Sequence, residues 1–145
     1  MTGGHSIACS GKVRVAADAD TVWGLIGDLR SMAIMEGVVE RLEVDGDGEG
    51  AIRRLFLPGG AVVTEAIVRY NRAARSYTYR IIARGPLPFD NYVGTASVTP
   101  DGDACVLTWE ARADPLIEPA DVRAAIQANI DHVLRVVSAR FAPGA

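Results

Sequence analysis

Lysine is almost missing from this chain. Lys12 is the only one, and the remaining positive charge is arginine scattered along 145 residues with a net charge of −3. A nucleic-acid partner would leave a basic footprint, and none is present. A polybasic patch for an anionic membrane surface is missing as well. Cysteine is scarce: Cys9 and Cys105 lie far apart without metal-ligand spacing, and His5 and His132 are the only histidines. That disfavours a structural zinc site and leaves two reduced, buried thiols as the expectation. No apolar run is long enough to span a bilayer, and the opening MTGGHSIACSGKV has no signal-peptide core. Nucleophile elbow, phosphate loop, HExxH and dinucleotide fingerprint are all missing. The expectation is a cytoplasmic protein with no metal, no cofactor, no nucleic-acid partner and no stable membrane insertion.

What is present is ordinary globular composition, 49% hydrophobic and 23% charged, in a length that suits one domain over residues 1–145. Residues 6–16 alternate, with Ile7, Cys9, Val13 and Val15 on one face and Ser10, Lys12 and Arg14 on the other, as a half-buried strand does. Asp18 is a good N-cap for a helix whose apolar stripe is Val22, Trp23, Leu25 and Ile26. A second short helical piece is expected over 29–36, then a strand over 38–44. Residues 50–57 and 61–70 flank Pro58-Gly59-Gly60 as a hairpin. Strands follow over 76–83, from Asn91 to Thr99 and from Cys105 to Arg112. From 119 to 141 the period becomes 3.6, with Val122, Ile126, Ile130, Val133, Val137 and Phe141 on one face. The predicted order is β-α-α-β-β-β-β-β-β-α, an α+β fold. A curved antiparallel sheet wraps around the long C-terminal helix, and the space between them is where a small ligand would bind.

The ordered set VRVAADADTVWGLIGDL, GAIRRLFLPGGAVVTEAIVRY, SYTYRII, PLPFDNYVG and VLTWEARADP resembles the START-like, helix-grip superfamily (SRPBCC), in its polyketide cyclase/dehydrase and lipid-transport branch. The resemblance covers nearly the whole chain and implies a hydrophobic cavity between sheet and last helix. Relatives of this type often carry a Trp-His-Pro-like stretch after the first helices. Here the region reads AIMEGVV, so chemistry that leans on that histidine is not implied.

The unusual feature is charge inside the first hairpin. If Pro58-Gly59-Gly60 is a three-residue connection, Arg53 stands opposite Glu65 on one face, and Arg54 lies on the other. If the next turn pairs Arg69 with Arg75, Glu65 falls opposite Tyr79, and Arg53, Glu65 and Tyr79 form a row on the inner face. Three readings stay open. The pair fixes register. Or Arg53 and Tyr79 hold a ligand carbonyl or carboxylate, with Glu65 orienting them. Or Glu65 is a general base for a polyketone-like substrate, with Arg53 or Tyr79 stabilising the oxyanion. Tyr92 and Trp109 either line the cavity or are plain core. Asn129 sits on the apolar face of the last helix and needs a partner there. Met32, Ile34 and Met35 suit an adaptable flap. His132 is expected on the exposed flank of the helix. The functions that follow are a carrier or sensor of a small hydrophobic, lipid- or polyketide-like molecule, a cofactor-free cyclase or dehydratase using Glu65, or a protein-interaction module.

Overall fold

A computed structural model describes residues 6–144; His5 lies outside them. The elements are β1 (Ile7–Val15), α1 (Ala19–Ile26), β2 (Arg41–Asp45), β3 (Ile52–Phe56), β4 (Val62–Asn71), β5 (Ser76–Ala83), β6 (Phe89–Asp101), β7 (Ala104–Pro115) and α2 (Pro119–Arg140). The strands form one antiparallel sheet in the order β1-β7-β6-β5-β4-β3-β2. Consecutive hairpins generate six of the seven positions, and β1 closes the series by pairing with β7. This is the expected helix-grip arrangement of curved sheet and long helix.

One expected element is absent. Residues 29–36 form successive turns rather than a helix, with the amide of Ser31 bonded to the carbonyl of Asp28 and that of Met35 to Met32. Leu29, Ile34 and Val39 are buried. That five-residue spacing does not match a helical face. Arg30 is also drawn outward to the Asp47 carboxylate and the Gly46 carbonyl. Val38 and Val39 belong to the turns, and β2 begins only at Arg41.

The seat of α2 decides where space remains. The helix packs on β1 and, less extensively, on β7. Gly11 permits close approach, because a Cβ there would stand 2.8 Å from Leu134 Cδ1 and 3.1 Å from Ile130 Cγ2. One flank of α2 is bonded to the open edge of β1. Arg123 Nη1 donates to the Ala8 carbonyl and Gln127 Nε2 to the Ser10 carbonyl, both at 2.9 Å. These bonds occupy edge carbonyls that would otherwise invite a foreign strand. With α2 held over β1 and β7, the inner faces of β3, β4 and β5 are left to the 29–39 turns and the 84–88 loop.

Three register shifts interrupt these ladders, one of them between Thr64 and Glu65, and the other two set which side chains face that space. Asn71 pairs with Ser76 and Arg69 with Thr78, but Ile67 pairs with Tyr79, so Val68 is the extra residue. Val68 and Arg69 are both exposed, while Tyr70 and Ile67 face inward. Without the extra residue, every side chain of β4 before it would point to the wrong face. A second irregularity, between Asp90 and Val93, includes Asn91 in the left-handed region at φ 54°. It brings Phe89 and Tyr92, three residues apart, to the same inner face, where both are buried. Val68→Ala should change stability by less than about 0.5 kcal/mol. Deleting Val68 should cost about 3 kcal/mol or more, because it turns buried residues outward. Urea unfolding of the two variants measures the difference, and equal effects would contradict the role of the bulge.

Candidate functional site

Cross-strand rows on the inner face of β3 and β4 explain the charges. Ala51 bonds Ile67, Arg53 stands opposite Glu65, and Leu55 opposite Val63. The first row belongs to the main core, and the last to a smaller cluster with Val39. The ion pair therefore stands at the seam between two apolar clusters. The three-residue connection sets this register, with the Leu57 amide bonded to the Ala61 carbonyl at 2.8 Å. Arg54 points outward to Asp45. Arg53 and Glu65 are 4% and 6% exposed, the only buried charged residues among those described. Arg53 Nε and Nη2 both donate to Glu65 Oε1, at 3.1 and 2.7 Å.

Beside this pair the interior is not filled. A cavity of about 280 Å³ has Leu55, Val63, Phe89 and Ile126 among its apolar walls, and Glu65, Tyr79, Tyr92 and Asn129 among its polar ones. An adjoining space of about 90 Å³ shares Glu65, Tyr79 and Asn129 and is bordered further by Arg53, Tyr77, Trp109 and Met35. A hollow of about 310 Å³ beside Trp23, Arg30 and Asp47 is larger, but it is a surface notch rimmed by an exposed ion pair.

The electrostatics follow from burial. Burial pushes the Glu65 carboxyl above its usual range, and Arg53 opposes that push. Burial alone would weaken the charge on Arg53, but Glu65 beside it outweighs that, and the guanidinium stays protonated. Burial pushes Tyr92 up to about 12 and Tyr79 well above the ordinary phenol range, where Tyr92 and Glu65 add to the effect. Both tyrosines are neutral hydroxyls near pH 7. The Tyr79 and Tyr92 hydroxyls lie 2.9 Å apart, and Trp109 Nε1 donates to Tyr79 Oη at 3.2 Å. The Tyr79 ring crosses the neighbouring strand over Gly94, where a Cβ would meet its Cζ at 2.5 Å.

The structure gathers Arg53, Glu65, Tyr79, Tyr92, Trp109, Asn129 and Met35 around this one space. Their individual placements correct several expectations. Glu65 stands opposite Ile81, and Tyr79 opposite Ile67, because the turn after β4 is tighter than assumed and the bulge follows it. The Tyr79 hydroxyl bonds Tyr92 and Trp109 rather than Glu65, whose side chain has no other hydrogen-bond partner than Arg53 among the described residues. Asn129 is not sealed in the apolar face. It is exposed at the cavity and needs no protein partner. His132 is half-buried rather than exposed, and its Nε2 is buried without a partner. Tyr77 was not foreseen as a site residue, yet it borders the smaller space with Arg53 5.7 Å from its ring centroid. Its inward alternation with Tyr79 is the signal that could have found it.

This geometry defines a class of protein, a helix-grip domain with a pocket between sheet and last helix that carries a few buried polar groups. The chain belongs to the polyketide cyclase / dehydrase and lipid transport family, whose model matches residues 6–142, within the START-like superfamily. Among solved structures it is similar to the protein XoxI from Bacillus cereus, at 20% identity and TM-score 0.84, covering 94% of this chain and 96% of that one. It is similar to the Zhui aromatase/cyclase from Streptomyces sp. R1128, at 20% identity and TM-score 0.78, covering 94% and 93%. It is also similar to norcoclaurine synthase from Thalictrum flavum in complex with dopamine and hydroxybenzaldehyde, at 21% identity and TM-score 0.76, covering 98% and 90%. No curated protein matches the chain. At these identities the likeness is one of fold.

Two variants check the site's construction. Arg53→Met strands a buried carboxylate and should cost about 3–5 kcal/mol, whereas Arg53→Met with Glu65→Leu should recover most of that loss. A denaturation double-mutant cycle reads it; equal losses would show that the carboxylate is not desolvated. Gly94→Ala should destabilise by about 1–3 kcal/mol through the Tyr79 ring, against the small gain usual for this exchange in a strand. In a Tyr79→Leu background the penalty should shrink, and a penalty that persists would place the clash elsewhere.

Proposed function

We propose that this protein binds a small, largely hydrophobic molecule between the sheet and α2, as a carrier or sensor. The observation that carries the reading is unfilled space beside the one buried ion pair. Close-packed interiors leave few spaces larger than a water molecule, and this one lies between two apolar clusters that share half-buried Met35, Ile81 and Leu87. A dry cavity of about 150 Å³ takes one benzene ring, so 280 Å³ suits a molecule of about two rings. The family's description and the small aromatic molecules held by the norcoclaurine synthase structure support the same reading.

A second reading, a cofactor-free cyclase or dehydratase, is favoured by one feature. Burial raises the basicity of Glu65, which borders both parts of the cavity. The two hydrogen bonds from Arg53 work against it by stabilising the carboxylate. Retained binding with lost turnover in Glu65→Gln would favour the enzyme.

Titrating naphthalene into 15N-labelled protein tests the carrier reading. Amide shifts should concentrate at Leu55, Val63 and Ile126. Ala125→Trp, which fills the cavity from α2, should abolish them without lowering the melting temperature. Shifts that are absent, or that survive in Ala125→Trp, would overturn the reading and leave a protein that works through its outer surface.

A further inference from the structure

The hydroxyl pair allows a proton count. An indole N–H only donates, so Trp109 occupies an acceptor position on Tyr79 Oη. Tyr79 and Tyr92 share one hydrogen bond. Of their two phenolic protons, one lies in that bond. The other has no protein acceptor among the described residues, whichever tyrosine carries it, and both tyrosines border the larger cavity. Burial keeps both phenols protonated near neutral pH. The site therefore presents one neutral O–H donor that awaits an acceptor.

The charges around the cavity point to what that acceptor is. Among the described residues, Glu65 is the one acidic residue on the wall of the larger cavity, and no lysine, arginine or histidine lines it. Arg53 borders only the smaller space, and its charge is matched by the carboxylate it holds. An incoming anion would meet Glu65 with no free cation on that wall, in a setting where a second uncompensated charge is costly. The Asn129 amide is neutral and can present either end. Building on the ligand-binding reading above, we infer that the site selects a neutral ligand with a carbonyl oxygen, received by the Tyr79–Tyr92 pair, and rejects a carboxylate of the same shape. A hydroxyl elsewhere on the ligand would be accepted by Glu65. Arg53 thus holds Glu65 rather than a ligand anion.

Three probes of similar shape test this by calorimetry near pH 7.5: 2-acetylnaphthalene, 2-ethylnaphthalene and 2-naphthoate. The ketone should bind about 3- to 10-fold tighter than the hydrocarbon, the worth of one hydrogen bond. The carboxylate should bind at least about tenfold weaker than the ketone. Tyr79→Phe and Tyr92→Phe each remove one proton and the bond that consumed one, so each should keep the ketone preference. Removing both hydroxyls frees the Trp109 indole N–H, so the double variant is combined with Trp109→Phe; that triple variant has no donor left in the cluster and should bind ketone and hydrocarbon about equally. Glu65→Gln leaves Arg53 uncompensated and should raise naphthoate above the ketone; if that variant fails to fold, the tyrosine series still decides. Naphthoate binding as well as the ketone, or a ketone preference that survives the triple variant, would overturn the inference. Failure of all three probes, the hydrocarbon included, would instead overturn the hydrophobic cavity itself.

Discussion

The seat of α2 on the edge strand governs the interior. A helix of 22 residues could lie along the middle of a seven-stranded sheet and cover it evenly. Here Gly11 lets it sink onto β1, and Arg123 and Gln127 fasten it to edge carbonyls. Those bonds satisfy backbone groups that no strand reaches, so the lateral position has a physical reason. The consequence lies several strands away. The inner faces of β3 to β5 lose their natural cover, and irregular turns with larger gaps take its place.

That displacement explains why the polar inner-face residues cluster on the uncovered side. Arg53 and Glu65 stand on β3 and β4, between the main core around Ile67 and the small cluster of Val39, Leu55 and Val63. Tyr92 reaches the same space by plain alternation with Gly94 and Ala96, and Phe89 joins it because Asn91 takes a left-handed conformation that an asparagine tolerates. Tyr79 reaches it because Gly94 has no side chain to lift the ring off the sheet. The Val68 bulge keeps Glu65 and Tyr79 on one face when the turn alone would part them. Bulges beside a cavity re-aim side chains while the rest of the ladder stays paired.

The legible part of this protein was the part ruled by local periodicity. The alternation of β1 and β5 to β7, the N-cap at Asp18 and the 3.6-residue stripe of α2 gave the element order and faces. The Arg53–Glu65 pairing was legible because a three-residue turn fixes register within a few residues. Errors began where register passes through a bulge. Tyr79 was placed opposite Glu65 instead of Ile67, and a shift of two residues preserved its face while changing its partners. The 29–36 segment reads as a helix because Leu29, Met32, Ile34 and Met35 are apolar enough for one, while Leu29 belongs to the main core, Met32 packs on the small cluster and only Ile34 and Met35 border the cavity. The Tyr79–Tyr92 contact follows from the β5–β6 register, which pairs Tyr79 with Gly94 and leaves Tyr92 diagonal to it, and no local turn signal fixes that register.

The buried pair also bears on why the cavity exists. Replacing a buried ion pair by well-packed apolar side chains often leaves stability unchanged or raises it. Leucine-sized residues at 53 and 65 would join the two clusters and shrink the space between them. Stability alone therefore does not call for this pair. It holds a carboxylate at the wall of a void, with one oxygen bound by Arg53 and the other without a protein donor. Across the same void, the tyrosine pair has a proton to give. An acceptor and a donor facing a shared apolar space are complementary to a molecule that carries both functions, and a polar group without such a molecule gains nothing from being there. The costs are borne by the fold, and on the proposed reading the benefit falls to a ligand; that asymmetry is the physical argument for reading the pair as a binding site over a register pin.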